Sequence, residues 1–163
     1  MKFATPLAAV ALSLFATTTS AQAVRTEKNM SLDLANQIAA ATVASCSASG
    51  YNVTAAVVDR AGTLRALLRA DNAGPHTVGA AQGKAYTSAS ARNTTAAMLE
   101  TMQKNPGAAT LVDIPGFLVL GGGVPVKVGN EVIGAVGVGG APGGHLDEAC
   151  ATAGIAKVAE LLK

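Results

Sequence analysis

NVTAAVVDRAGTLRALLR, residues 52–69, is the stretch that decides the fold. A valine-rich run over residues 52–59 leads into Asp59-Arg60-Ala61-Gly62, where an aspartate at the start and a glycine at the end suit a type I turn. From Thr63 to Arg69 the side chains alternate. Leu64, Ala66 and Leu68 take one face and Thr63, Arg65, Leu67 and Arg69 the other, the period of a half-exposed strand. Two strands joined by so short a turn make an antiparallel hairpin. A second hairpin signal, Gly129-Asn130, stands between apolar runs at 125–128 and 131–138. Two hairpins call for an antiparallel sheet, because parallel strands need long crossovers.

Helices are expected on either side of these strands. Ser31 reads as an N-cap with Asp33 in the first turn, and Ala35, Ile38, Ala39, Thr42 and Cys46 recur at helical spacing until Gly50. Pro75 suits the first position of a helix whose small residues, Val78, Ala81, Ala85 and Ala89, form a narrow stripe, with Lys84 and Arg92 off it. Thr94 opens a short helix through Met102, ended by Asn105-Pro106-Gly107. GFLVL, residues 116–120, reads as a further short strand before the glycine turn at 121–123. A closing helix is expected over 145–162, with Cys150, Gly154, Val158 and Leu161 on one stripe. The expected fold is therefore α+β, a five-stranded antiparallel sheet flanked by helices, in the order α-β-β-α-α-β-β-β-α.

The 163 residues suit one domain, and 50% of them are hydrophobic against 13% charged, enough to bury a core built of Ala, Val and Leu. Net charge is +2 with no basic run interleaved with aromatics, which excludes a phosphate-backbone footprint and hence a nucleic-acid partner. Residues 1–23 read as an export leader. Lys2 precedes an apolar run at 7–16, and Ala21-Gln22-Ala23 has the small-x-small pattern of a cleavage site before Val24. That run is shorter than the ~20 residues a bilayer span needs, so the mature chain, 24–163, is expected in the periplasm or the medium with no membrane span. Cys46 and Cys150 lie in the two terminal helices. An oxidising compartment favours a disulfide between them, the other reading being two buried thiols.

The glycine-rich segments do not form a nucleotide site. Pro142 falls near where the dinucleotide fingerprint needs its last glycine, and no GK[ST] occurs. The 139–144 loop does lead into a helix start, where Gly143 and Gly144 can offer free amides to a carboxylate such as a haem propionate. Imidazole is a good ligand for haem iron. Of the two histidines, His76 stands first as metal ligand because it opens the alanine-lined helix, and His145 second. Tyr51 and Tyr86 can also ligate iron, though ring packing explains both. Lys84, Arg65 and Arg69 can pair with acidic groups of a ligand, Lys84 foremost. No GxSxG elbow and no HExxH occurs.

VVDRAG (57–62), AGPHTVGAAQGKAYTSAS (73–90), GGGVPV (121–126), GAVGVGGAPGG (134–144) and DEACATAGI (147–155) together resemble the GlcG/HbpS-like family, to which the C-terminal domain of PduO-type proteins belongs. The resemblance spans nearly all of the mature chain. It implies a profilin-like antiparallel sheet flanked by helices, assembly as a homo-oligomer and, in some members, binding or slow redox-linked degradation of haem. Lys84, Ala85 and Thr87 match its KAxT helix, Gly122, Gly123 and Pro125 its GGxP turn, and Gly134 and Gly137 its glycine strand. The expectation is a haem-binding protein with His76 on the iron and Lys84, Thr87, Gly122, Gly123, Gly143 and Gly144 around the ligand. The alternatives are a protein that binds or acts on a small organic acid, held by Lys84 and the glycine loops, and a scaffold that serves through its oligomer.

Overall fold

The computed structural model describes residue 1 and residues 23–163. The body of the expected leader, 2–22, lies outside the described residues. No helix among the described residues is long and apolar enough to cross a membrane.

Helix α1 (Leu32–Ala48) starts at Ser31, whose hydroxyl accepts from the Leu34 amide at 3.2 Å. Strands β1 (Thr54–Asp59) and β2 (Leu64–Arg69) form the expected hairpin. Asp59 ties its turn by accepting from the amides of Ala61 and Thr63, each at 3.0 Å. Helix α2 (His76–Ala91) and helix α3 (Thr95–Lys104) follow, and a 3₁₀ segment (Pro106–Asp113) extends the second. Strands β3 (Gly123–Val128) and β4 (Glu131–Gly139) make the second hairpin, and helix α4 (Gly144–Lys157) closes the chain with a 3₁₀ turn at Ala159–Leu161.

Among the described residues the sheet has four antiparallel strands in the order β2-β1-β4-β3, not five. The GFLVL segment is the difference. Gly116 at φ +84° and Gly122 at φ +120° break the extended path at both ends. Between them the Leu118 amide donates to the Thr87 hydroxyl at 2.7 Å, and the amides of Phe117 and Leu120 close local turns, so no ladder forms. A short apolar run has no period to mark it as strand or as packed loop, and here it covers α2.

Each face of the sheet has its own cover. Val53, Val57, Val126, Ile133, Val136 and Val138 pack against Ile38, Ala39 and Cys46 of α1 and Cys150, Ala151 and Val158 near α4. On the other face Ala56, Val58 and Ala135 meet Ala81, Ala85 and Ala89 of α2, the stripe expected from the sequence. Contact there is close enough to demand glycine: a Cβ on Gly137 would lie 2.1 Å from the Ala81 carbonyl oxygen. A register shift between Val57 and Val58 interrupts the alternation of β2, and Leu64 lines a hollow with Val58 and Tyr86 while Ala66 joins the α1 core. The two covering helices of the first core are joined by a Cys46–Cys150 disulfide, with Cα atoms 5.2 Å apart.

Candidate functional site

The structure separates the residues that the sequence grouped. Lys84, expected to face a ligand, is 2% exposed. Its Nζ donates to Asp147 Oδ2 at 2.7 Å and to the Val138 carbonyl at 2.8 Å. Asp147 Oδ1 in turn accepts from the Ala141 amide at 3.0 Å. One buried ion pair thus pins α2, the end of β4 and the first turn of α4 together. Gly122 presses on it: a Cβ there would lie 2.7 Å from Asp147 Cβ and 3.1 Å from Lys84 Nζ. Gly123 is equally confined, with the Lys84 carbonyl oxygen 2.4 Å from where its Cβ would be. Thr87 is buried, donating to the Gly83 carbonyl at 2.8 Å while it accepts from Leu118. Lys84, Asp147, Gly122, Gly123 and Thr87 hold the fold at one junction, and the ammonium that was to anchor an anion is committed to Asp147.

His76 sits exposed in the first turn of α2, its ring folded over Gly74. Lys84, by contrast, is sealed against Asp147 in the interior. Arg65 bridges to Asp59 at 3.2 Å, and Arg69 donates to the Ala73 carbonyl. Tyr86 packs edge-on against Phe117 with ring centroids 6.1 Å apart.

The junction does position another set of side chains. Thr95 at the start of α3 accepts from the Gly123 amide at 2.8 Å, which fixes α3 beside β3. Asp147 fixes α4. Between these two helices runs a groove of about 800 Å³, within the range of small-molecule sites. Ala96, Leu99, Glu100 and Gln103 line it from α3, spaced as one helical face. His145, Glu148, Ala149, Thr152, Ala153 and Ala156 line it from α4, again one face. Its floor is the contact of Gly121 with Gly144, whose Cβ would lie 2.9 Å from Gly121 Cα. The His145 ring folds back over Gly143, where a Cβ would come within 2.8 Å of the imidazole. Gly143 and Gly144 therefore do border the candidate site, one by leaving room for a ring and the other as floor.

Glu148, which the sequence reading did not single out, is the unusual group here. Its side chain is half-buried, with the Oε2 atom shielded from solvent. Burial pushes its carboxyl above the ordinary range, and the Thr94 hydroxyl and Gly122 amide pull against that shift without cancelling it. The signal was present in the sequence. His145, Glu148, Ala149, Thr152 and Ala156 recur at helical spacing, but only the opposite stripe of α4 was read, the one carrying Cys150 and Gly154. Among the described residues no cluster of three or more His, Cys, Asp or Glu side chains is arranged to hold a bare metal ion.

Residues 30–156 match the family model described as "Haem degrading protein HbpS-like". The chain belongs to the HbpS-like family. Protein GlcG of Escherichia coli K12 is 36% identical over 115 residues, which cover 71% of this chain and 84% of GlcG. A crystal structure of a double mutant of Streptomyces reticuli HbpS superposes with a TM-score of 0.75 at 36% identity, covering 94% of this chain and 99% of that one. A crystal structure of a PduOC–haem complex shares the fold at 23% identity, with a TM-score of 0.70 over 78% of this chain and 94% of PduOC. The HbpS-like frame thus carries, in this member, a buried Lys84–Asp147 junction with an apolar groove beside it.

Proposed function

We propose that this HbpS-like protein binds haem, and that it does so after export. The observation that carries the reading is membership of a family described as haem degrading, in a chain with an apolar groove of ligand size and an imidazole on its wall. A relative of the same fold, PduOC, has been crystallised with haem. The residues fit such a group: alanine and leucine side chains can enclose a flat apolar ring, and His76 and His145 are the two available imidazoles. Bound haem would supply a redox-active iron; the chain would supply an apolar wall and an imidazole to hold it. Export is supported by the leader pattern and by the cystine, which persists in oxidising compartments. The organic-acid alternative loses its chief anchor, since Lys84 is buried against Asp147. Assembly of copies belongs to the same proposal, and exposed Leu64, Leu68 and Ile114 supply apolar surface for it.

Titration of the purified mature chain with hemin tests the reading. A shifted Soret band that saturates near one equivalent is expected, and an unshifted band at every ratio overturns haem binding. Slow degradation is the finer reading; it requires the band to decay under peroxide or reductant faster than that of free hemin.

A further inference from the structure

We propose that the hollow between the lead-in to α1, the end of α2 and the β3–β4 hairpin binds a compact oxyanion carrying two or more ionised groups. It shares no residue with the α3–α4 groove and does not depend on haem.

The first observation is where the unpaired cations gather. Arg25, Arg60, Arg65, Lys84, Lys104 and Lys163 stand in ion pairs, and Arg69 donates to a carbonyl. Among the described residues, that leaves Lys28, Arg92, Lys127 and Lys157 with no side-chain partner. All of these but Lys157 line one hollow of about 590 Å³, although they come from segments far apart in the chain. Cations gathered in a concave wall focus their field on whatever enters it. The second observation is Arg60, which gives the hollow a fixed side. Its half-buried guanidinium bridges to Glu27 at 3.2 Å and to Glu131, and donates to the Val132 carbonyl at 3.4 Å. The two nearby carboxylates are therefore engaged with Arg60, and Glu27 with Arg25 as well, rather than with the three unpaired cations. The third is Arg92. It caps α2 at φ +54°, the one non-glycine residue among those described with a left-handed backbone. Glycine adopts that conformation at a helix end without strain. An arginine held there is explained by what its side chain does, and its side chain lines the hollow. A guanidinium fork and two ammonium groups suit oxygen anions. Cations arriving from separate segments favour charge at more than one point of the ligand, which both oligophosphates and polycarboxylates offer. No aromatic side chain lines the hollow, so nothing there selects a ring.

Calorimetric titration of the mature chain at low ionic strength tests the site, with pyrophosphate, citrate and acetate as probes. Saturable binding near one equivalent is expected for pyrophosphate or citrate, and at least tenfold weaker binding for acetate. The tighter of the two polyanions tells whether phosphate or carboxylate is preferred. Arg92→Gly, which relieves the backbone, should melt no lower than the wild type and still bind at least tenfold more weakly. Lys28→Gln combined with Lys127→Gln, both at exposed positions, should weaken binding as much. Lys157→Gln, which removes the unpaired cation outside the hollow, should bind as the wild type does. Absence of binding by both polyanions overturns the proposal, as does acetate binding equal to theirs. Wild-type affinity in Arg92→Gly or in the double variant also overturns it. An equal loss in Lys157→Gln would do so too, since it would mean a diffuse field rather than a site. A lower melting temperature in Arg92→Gly would make that arginine a support of the fold and overturn its place in the site.

Discussion

At the scale of single residues, Lys84 shows how position in a stripe can mislead. A lysine among small residues on a helix reads as an exposed cation, because burying an ammonium is costly unless it is paired. The partner, Asp147, lies 63 residues away, and nothing local in the sequence announces it. Removing one member of such a pair strands the other. Lys84→Met is expected to cost about 3–5 kcal/mol in chemical denaturation. Adding Asp147→Asn, which takes away the stranded charge, should recover part of that loss. Glu148 makes a prediction in pH. Its carboxyl titrates above the ordinary range in the folded chain, so between the unfolded and folded values the native state holds more protons than the unfolded one. Stability contributed by the protonated form is therefore present at low pH and lost as pH rises through that window. Melting curves of wild type and Glu148→Gln should be closest near pH 4 and separate toward neutrality, with the variant favoured. Gaps that stay constant with pH would refute the assignment.

Among the elements, the two hairpins and four α-helices were legible because each carried its own local signal. Asp59 and Gly62 mark one turn, Gly129-Asn130 the other, and Ser31 and Thr94 cap their helices as their positions suggested. The 116–120 segment was not legible. Its five residues satisfy a strand by composition, but the positive-φ glycines at 116 and 122 break the extended path and the Thr87 hydroxyl takes up the Leu118 amide. Thr87→Val keeps the shape of that side chain and removes the acceptor. It should cost about 1–3 kcal/mol, the penalty for an unsatisfied amide, and amide exchange should accelerate at Leu118 more than in the strands. Unaltered exchange there would show that the segment is held by packing of Leu118 on Gly83 alone.

For the whole molecule, the Cys46–Cys150 bridge links helices that begin and end the fold, 104 residues apart. In the chain-entropy view a loop of that length is worth about 4–5 kcal/mol. Reduction, or Cys46→Ser with Cys150→Ser, should lower the denaturation midpoint accordingly while the sheet signal in circular dichroism persists below the transition. Haem occupancy should act in the opposite direction. At 100 times its Kd a ligand that binds only the native state adds about 2.7 kcal/mol, so the melting temperature should climb with hemin concentration. Absence of any such rise at saturating Soret shift would mean that haem binds the unfolded chain as well.

The sequence by itself determined the class of fold, the antiparallel pairing, the helix starts and the cysteine pair worth testing, because turns, caps and periodicity act over a few residues. The tertiary structure alone decided that Lys84 is an internal cation, that residues 116–120 are not a strand, and that His145 and Glu148 face α3 across a groove while His76 does not. Those outcomes depend on which distant groups meet. Burial of a charge, the destination of an amide and the walls of a cavity are set by neighbours in space rather than in the chain.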